Sequence, residues 1–183
     1  EIRFCDWSSD VCSSDLYSVG HKSNGELYQK DKDNEARSAS TLETTLDDYT
    51  LFIRGVLNNS ILDTSSTKKM FTPQIKIRSI QQFGPLRLQD STFNDNIQLS
   101  YGLGWVLLQS PHGTGAFKEG HGDGFQHYSI IFPERGTGII IMSNSDNAES
   151  IFKELLEVAI ADTFTPWYWE NYIPYNQKKT KTR

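Results

Sequence analysis

Residues 101–144 read YGLGWVLLQSPHGTGAFKEGHGDGFQHYSIIFPERGTGIIIMSN, and this stretch decides the fold class. Short runs of β-branched, aromatic and aliphatic residues alternate here with turns rich in Gly, Pro, Asp and Asn, as in a meander of strands. The turns Asp123-Gly124 and Glu134-Arg135-Gly136 are typical of hairpins, so we expect neighbouring strands to pair antiparallel. The predicted strands are Tyr101–Leu108, Ala116–Gly120, Phe125–Phe132 and Gly138–Ser143.

Helices are predicted on either side of this meander. Thr45 and Asp48 form an N-cap pair, and Asn58-Asn59 is a suitable stop for the helix between them. A second, short helix is expected over Ser66–Phe71 and a closing helix over Ala148–Thr163. Helices, a meander and a helix in this order indicate an α+β fold. The apolar face of the first helix repeats every three to four positions, at Leu46, Tyr49, Phe52, Ile53, Val56 and Leu57.

The remaining segments are assigned by composition. Residues 17–41 are polar and are predicted as a surface loop. Residues 178–183 form a short basic tail, which we interpret as a solvated terminus rather than a nucleic-acid arm. An aromatic cluster after Pro166 is expected to dock against the body of the protein. Its members are Trp167, Tyr168, Trp169, Tyr172 and Tyr175.

Composition excludes several functional classes. The 183 residues carry 18 Lys and Arg against 23 Asp and Glu, a formal charge of −5, whereas nucleic-acid binding needs a basic face. The longest apolar run, Gly138–Met142, is far too short to span a bilayer. The two cysteines, Cys5 and Cys12, lie near the start, so the body of the chain has no disulfide framework and no cysteine-based zinc site.

The first sixteen residues, EIRFCDWSSDVCSSDL, differ in character from the rest. The unit Ser-Ser-Asp occurs at Ser8–Asp10 and again at Ser13–Asp15, in a segment with neither a helical nor a strand period. The segment resembles a translated sequencing adapter, and the alternative is a frayed polar terminus. We interpret residues 1–16 as a non-native prefix.

The densest cluster of candidate functional residues is Gly120–His127. Its glycines let a ligand approach the backbone closely. His121, Asp123 and His127 are residue types that bind divalent metal ions, although a predicted turn separates the two histidines. The alternative is a glycine-rich hairpin with two exposed histidines.

Six short motifs follow one another in order across residues 38–165. They are Thr44-Thr45-Leu46-Asp47-Asp48-Tyr49, Met70-Phe71-Thr72-Pro73-Gln74, Tyr101-Gly102-Leu103-Gly104-Trp105, Gly120-His121-Gly122-Asp123-Gly124-Phe125, Phe132-Pro133-Glu134 and Met142-Ser143-Asn144-Ser145-Asp146-Asn147. This order resembles the serine β-lactamase-like hydrolases, which include class C β-lactamases, D-alanyl-D-alanine peptidases and esterases. The resemblance implies the α+β fold of β-lactamases and penicillin-binding proteins. It also implies that residues 17–177 are the C-terminal portion of such a domain, with the N-terminal part missing.

The resemblance implies acyl transfer through a serine ester. A serine in Ser-x-x-Lys attacks a carbonyl, and a Lys/His-x-Gly strand lines the opposite wall. His121 takes the Lys position of this third motif, Gly122, Asp123 and Gly124 would bind substrate, and the amide of Asp123 or Gly124 would hold the oxyanion. Asp123 stands where the motif has Gly, and His121, with an ordinary pKa near 6.5, is expected to be mostly neutral at pH 7. Both features favour an esterase or amidase over a carboxylate-recognising β-lactamase.

The nucleophile of this mechanism is not identified in the chain. Ser145 and Ser150 follow His121, against the family order, and Ser65 and Ser66 precede Met70 in a loop where the family has no catalytic residue. No Tyr-x-Asn occurs. We therefore expect this chain alone to be inactive, to expose an apolar face and to aggregate. The strings concerned are Ser65–Lys68, Ser66–Lys69, Ser150–Lys153 and Ser145-Asp146-Asn147.

The intact parent is expected to act on a small-molecule or peptide-like substrate, namely a β-lactam, a D-amino-acid peptide or an ester. No cofactor, metal, nucleic acid or membrane span is expected. Relatives act on the cell-envelope side of bacteria, so by analogy the parent would be periplasmic or extracellular. Two other hypotheses stay open: a non-catalytic binding protein of the same fold, and a metal hydrolase that uses His121, Asp123 and His127.

Overall fold

The computed structural model describes residues 17–30 and 42–175 of the chain. Within these ranges the strands form one antiparallel sheet in chain order, β1 to β6, so the predicted α+β meander is confirmed. The helices are α1 (Leu46–Leu57), α2 (Thr64–Met70) and α3 (Phe152–Ile160). The strands are β1 (Ile75–Lys76), β2 (Ser100–Tyr101), β3 (Val106–Ser110), β4 (Gly113–Gly122), β5 (Phe125–Phe132) and β6 (Thr137–Ser143).

The sheet buries both of its faces, one against α1 and the other against α3. Alternate side chains of the strands enter the two cores because successive residues of a strand point to opposite sides. Phe152 and Leu156 of α3 are fully buried, and each contributes about 1.5–3 kcal/mol of hydrophobic stabilisation. The α3 face includes Val106, Leu108, Phe117, Tyr128 and Ile130, and the α1 face includes Ile53, Val56, Leu107, Ala116 and Ile131.

The predicted helix starts are set by side-chain caps. The Thr45 hydroxyl accepts a hydrogen bond from the Asp48 amide at 3.1 Å, so the prediction for α1 is confirmed. Helix α2 begins at Thr64, two residues before the predicted start. The reason is that the Asp63 carboxylate accepts a hydrogen bond from the Ser66 amide at 2.9 Å and thereby caps an earlier turn.

Two predicted elements differ in extent. The run Tyr101–Leu108 is divided between β2 and β3 because the Gly102 amide bonds to the Trp105 carbonyl and Gly104 adopts a φ of +82°. The closing helix starts as a 3-10 turn over Ala148–Ile151 and ends at Ile160, before the predicted Thr163. Strand β4 runs beyond both ends of its predicted range, Ala116–Gly120, because it forms hairpins with both neighbours.

The segments outside the sheet pack partly as expected. Tyr168 and Tyr175 remain exposed, whereas Trp167, Trp169 and Tyr172 of the same aromatic cluster pack on the α3 face. Residues 17–30 are more than a surface loop, because the His21 amide bonds to the Asn144 carbonyl at 2.9 Å beside the end of β6. The proposed prefix 1–16, residues 31–41 and the basic tail 178–183 lie outside the described residues. None of the described helices is both long and apolar enough to cross a membrane.

Candidate active site

The second half of β4 has an open edge. Strand β3 pairs with β4 only as far as Phe117, which lies opposite Val106. The next five residues, Lys118–Gly122, pair with β5 alone. Among the described residues no strand covers their other edge, and we call Lys118–Gly122 the open half of β4.

Backbone amides along the open half alternate between β5 and the open edge. Gly122 and Phe125 flank a two-residue turn, and such a pair exchanges both of its backbone hydrogen bonds. The alternation then directs the amides of Glu119 and His121 away from β5. Neither amide donates to a turn or loop carbonyl of the described residues, so both are available to a ligand.

Side chains of the open half also alternate between the two faces of the sheet. Glu119 and His121 point to the α3 face, whereas Lys118, Gly120 and Gly122 lie on the α1 face. A β-carbon added at Gly120 or Gly122 would meet no atom within 4 Å. The α1 face is therefore open above these glycines, next to the exposed side chain of Lys118.

His121, the predicted catalytic residue, forms an ion pair on the α3 face. Its Nε2 contacts Oε1 of Glu149, whose amide donates to the side-chain oxygen of Gln126 at 2.8 Å. The hydrogen bond to Glu149 raises the pKa of His121, partial burial opposes this shift, and the charges of Glu149 and Glu119 add to it. The expectation of a mostly neutral ring assumed the ordinary histidine pKa, whereas Glu149 shifts the ring towards the imidazolium form.

Glu119 is held from the same side. The Tyr172 hydroxyl donates a hydrogen bond of 2.9 Å to its carboxylate. Burial raises the pKa of Glu119, and the hydrogen bond from Tyr172 and the charge of His121 oppose that shift. Both α3-facing residues of the open half are therefore engaged by side chains from other elements.

The other residues predicted to bind substrate lie at the turn after β4. Gly122 and Asp123 are exposed, but Gly124 is buried. Gly124 has a φ of +73°, and a β-carbon there would lie 2.3 Å from the backbone nitrogen of His21. The segment around Gly20 therefore covers one side of the turn, and a ligand would reach Gly122 and Asp123 rather than Gly124.

The structure separates the residues of the metal hypothesis. His121 and His127 are six positions apart, but they lie on strands β4 and β5 with side chains on opposite faces of the sheet. Burial lowers the pKa of His127, and its Nδ1 accepts a hydrogen bond from the Ser143 amide at 3.3 Å. Within residues 17–30 and 42–175, no three His, Cys, Asp or Glu side chains form a group that could hold a metal ion. The alternative of a metal hydrolase built on His121, Asp123 and His127 is therefore wrong.

The serines of the Ser-x-x-Lys strings make local contacts. The Ser66 hydroxyl donates to the Asp63 carboxylate at 2.9 Å, and the Ser150 hydroxyl donates to the Asn147 carbonyl at 2.6 Å. Lys153 pairs with Glu157 one helical turn later. These contacts stabilise helix ends and exposed helix surface, and none of them links a serine to β4.

Sequence reasoning passed over a literal Lys-x-Gly string, Lys118-Glu119-Gly120, three residues before His121. Lys118 pairs with Ser129 on β5, and the Ser129 hydroxyl lies 3.5 Å both from the Lys118 carbonyl and from the hydroxyl of Tyr49 on α1. The string was visible in the sequence. Its position at an open strand edge, with its lysine on the uncovered face, was not.

Two clefts lie away from this strand. One, of about 430 Å³, lies beside β1 and is lined in part by Tyr101 and Trp169. The other, of about 300 Å³, lies between Phe93 and Trp167. No residue of the open half lines either cleft.

An antiparallel sheet with helices on both faces, and a Lys-x-Gly string at a free strand edge, is the arrangement expected of a β-lactamase-like hydrolase. Residues 17–162 match the family model described as Beta-lactamase, so the chain belongs to the beta-lactamase family. Membership implies acyl transfer of the serine-hydrolase type at the level of the family. The predicted fold of β-lactamases and penicillin-binding proteins is thereby confirmed.

Comparison with individual proteins adds one similar structure. It is the octameric penicillin-binding protein homologue from Pyrococcus abyssi, with 17% sequence identity and a TM-score of 0.48. The match covers 65% of this chain and 25% of that chain, so the protein spans about a quarter of the length of its structural relative. No curated protein matches the chain.

Proposed function

We propose that the open half of β4 forms one wall of a serine hydrolase active site, with Lys118-Glu119-Gly120 as its Lys-x-Gly motif. One observation carries this proposal: among the described residues nothing pairs with the other edge of Lys118–Gly122, and Lys118 and Gly120 are exposed on one face of that strand segment. The ammonium group of Lys118 would bind the polar end of the substrate through a charge-assisted hydrogen bond. Gly120 would let the substrate lie close against the strand.

The register that starts at Lys118 agrees better with the motif than the register that starts at His121. From Lys118 the third position is Gly120, whereas from His121 it is Asp123. The His121 side chain also lies on the other face, where it pairs with Glu149. In the proposed site, His121 contributes its backbone, and its imidazole serves to hold the strand.

The outward amide of His121 is the proposed oxyanion donor. It lies just beyond the motif, where the resemblance places such a donor, and it points to the open edge. The donors expected from the other register, the amides of Asp123 and Gly124, lie in the turn that Gly20 partly covers. An N–H group aimed at the developing oxyanion contributes about 10²–10³-fold to the rate of acyl transfer.

The proposed substrates are amides or esters with an extended acyl part, such as a β-lactam, a D-amino-acid peptide or an ester. The outward backbone groups of Glu119 and His121 would pair with such a substrate as an added strand does. Lys118 at the first motif position also suits a substrate carboxylate. Asp123 at the Gly position and a neutral His121 favoured an esterase or amidase only if the motif begins at His121. Neither argument applies when the motif begins at Lys118.

The nucleophile is proposed to come from residues other than these 183, as part of a longer protein. The Ser-x-x-Lys strings of the chain stabilise local turns, and no Tyr-x-Asn accompanies them. We therefore propose that this chain by itself forms no acyl-enzyme. The alternative of a non-catalytic binding protein would use the same open edge and would lack a nucleophile in the longer protein as well.

The test is the protein extended by the coding sequence upstream of Tyr17 in the source DNA. Ser-x-x-Lys followed by Tyr-x-Asn should appear there, and the extended protein should hydrolyse a chromogenic ester or cephalosporin. Lys118→Ala should lower kcat/KM by about 10²-fold or more. Lys153→Ala, which removes an ion pair on the surface of α3, should leave kcat/KM unchanged.

Two results would contradict parts of the proposal. Full activity in Lys118→Ala together with loss of activity in His121→Ala would restore the His121 register. Absence of both motifs from the upstream sequence would favour the binding protein.

A further inference from the structure

The chain continues after α3 as a strap, residues Asp162–Tyr175, nearly all of which lies beyond the stretch 17–162 that matches the family. Ala161, with a φ of +55°, turns the chain out of the helix. The buried carboxylate of Asp162 fixes this exit, because it accepts hydrogen bonds from the amides of Phe164 and Thr165 and from the Thr165 hydroxyl. The strap is therefore a defined part of the fold.

The strap crosses the α3 face and is anchored on both sides of β4. The Trp169 indole N–H donates to the Ser79 hydroxyl at 3.1 Å. Farther along, the Tyr175 amide donates to the Ser150 carbonyl at 3.1 Å. Tyr172 lies between these anchors, and its side chain is buried.

That hydroxyl reaches the open half of β4 through Glu119, at 2.9 Å. A strand segment with a neighbour on only one edge depends on contacts from its faces to stay in place. Glu119 stands between Lys118 and Gly120, so any displacement of Glu119 moves both residues on the opposite, uncovered face. His121, bound to Glu149, adds a second attachment two residues along.

We propose that Tyr172 is a positioning residue. Through Glu119 it holds the open half of β4 extended and in place, on the face opposite the surface that meets the substrate. The proposal rests on the proposed function for the identity of that surface. The open half is attached at alternate residues on its α3 face, and its α1 face is exposed. This arrangement preorganises its outward amides for a ligand.

The test is amide hydrogen exchange in the 183-residue chain, read residue by residue. By the alternation of the ladder, Gly120 and Gly122 bond to β5 in the open half, and Gly115 and Phe117 bond to β3 in the covered half. Tyr172→Phe should accelerate exchange at Gly120 and Gly122 by about five- to tenfold, as expected for the loss of one side-chain hydrogen bond. Gly115 and Phe117 should change by less than about twofold, because their partners on β3 are untouched.

Three further variants separate positioning from general stability. Glu119→Gln keeps an acceptor for the Tyr172 hydroxyl and should retain protection, whereas Glu119→Met should behave as Tyr172→Phe does. Tyr168→Phe changes an exposed strap residue and should leave both sets of amides unaltered.

Equal acceleration in both halves, or none, would overturn the proposal. So would a Glu119→Gln variant that behaves like Glu119→Met. No substrate takes part in this experiment, so its failure is distinguishable from failure of the Lys118→Ala test.

Discussion

Lys118 and His121 lie on opposite faces of strand β4, although they are only three positions apart. An odd separation along a strand reverses the face. Lys118 therefore shares the uncovered face with Gly120, while His121 points to α3 and pairs with Glu149. If the motif begins at Lys118, its first side chain is an exposed ammonium group. If it begins at His121, its first side chain is an imidazole that is already paired with Glu149. Whether the third motif begins at Lys118 or at His121 therefore depends on which face of the strand each side chain occupies.

The isolated chain should form no covalent adduct with a fluorophosphonate or penicillin probe. The serines that resemble a nucleophile are engaged at helix ends, Ser66 with Asp63 and Ser150 with Asn147. Intact-mass spectrometry after incubation with the probe checks this, and Ser66→Ala and Ser150→Ala should be indistinguishable from the parent chain. An adduct mapped to any serine would show that the chain carries its own nucleophile.

The two histidines of the hairpin should titrate on opposite sides of the ordinary histidine value of 6.5. Glu149 raises the pKa of His121, so the stabilisation from this pair is fully present below about pH 6.5 and is lost as pH rises through the higher folded-state pKa. NMR titration of the ring signals measures both values. Glu149→Gln should lower the pKa of His121 and leave that of His127 almost unchanged. Equal midpoints for the two rings would be inconsistent with the ion pair.

Glu170 should make the protein less stable as pH rises. Its carboxylate is buried, neither of its oxygens has a partner among the described residues, and burial together with the charges of Glu119 and Asp162 raises its pKa. A raised carboxyl pKa means that stability falls as pH rises from the unfolded value through the folded one. Glu170→Gln should therefore increase the free energy of unfolding by about 1–3 kcal/mol at pH 8 and change it little at pH 4.

Urea denaturation at a series of pH values measures this difference. Glu26→Gln, which alters an exposed pair with Lys22, serves as the control and should show no such trend. A constant difference between Glu170→Gln and the parent chain across this range would indicate that folding does not shift the pKa of Glu170.

Two glycines of one hairpin should respond differently to substitution by alanine. Gly124 has a φ of +73° and lies against the backbone of Gly20 and His21, so Gly124→Ala should lower the free energy of unfolding by about 1–3 kcal/mol. Gly120 has open space above it, and Gly120→Ala should change stability by less than about 0.5 kcal/mol. Urea denaturation of both variants provides the comparison. A large loss in Gly120→Ala would mean that the α1 face is covered there.

The isolated chain should self-associate as its concentration rises. Apolar side chains are exposed on α1 and in the segment after it, where a soluble monomer normally shows few. Light scattering should show that a Leu51→Lys, Ile61→Lys double variant stays monomeric at higher concentration than the parent chain. Val158→Lys, at an exposed position of α3 outside this set, should not. A parent chain that stays monomeric up to the same concentration as the double variant would contradict the prediction. The exposed residues are Leu46, Leu51, Phe52, Ile61 and Leu62.

Local signals in the sequence predicted the elements that local interactions define. The Thr45 cap, the bounds of β5 and the turn at Gly136 depend on residues only a few positions apart, and the structure confirms all three. The closing helix was predicted three residues too long, because its apolar period continues past the point where Asp162 redirects the backbone. A side chain that captures its own following amides competes with the helix, and periodicity does not register that competition.

The candidate site could be predicted only in outline. The glycine-rich hairpin around His121 was located from its residues, but the free edge of Lys118–Gly122 depends on where β3 stops pairing. Which face each residue occupies then follows from the strand register. The contact between Tyr172 and Glu119 joins positions 53 residues apart, and no local pattern in the chain connects them.

The sequence by itself determined the α+β class, the order of hairpins in the meander and the likeness to β-lactamase-like hydrolases. Caps, turn residues and alternation suffice for these, because they act over a few neighbouring residues. Only the tertiary structure decided that Lys118 is uncovered, that His121 is paired with Glu149, and that the strap supports β4 from behind. Burial and charge are properties of the whole packed arrangement. The chemistry of this strand is therefore set by elements that lie far from it in the chain.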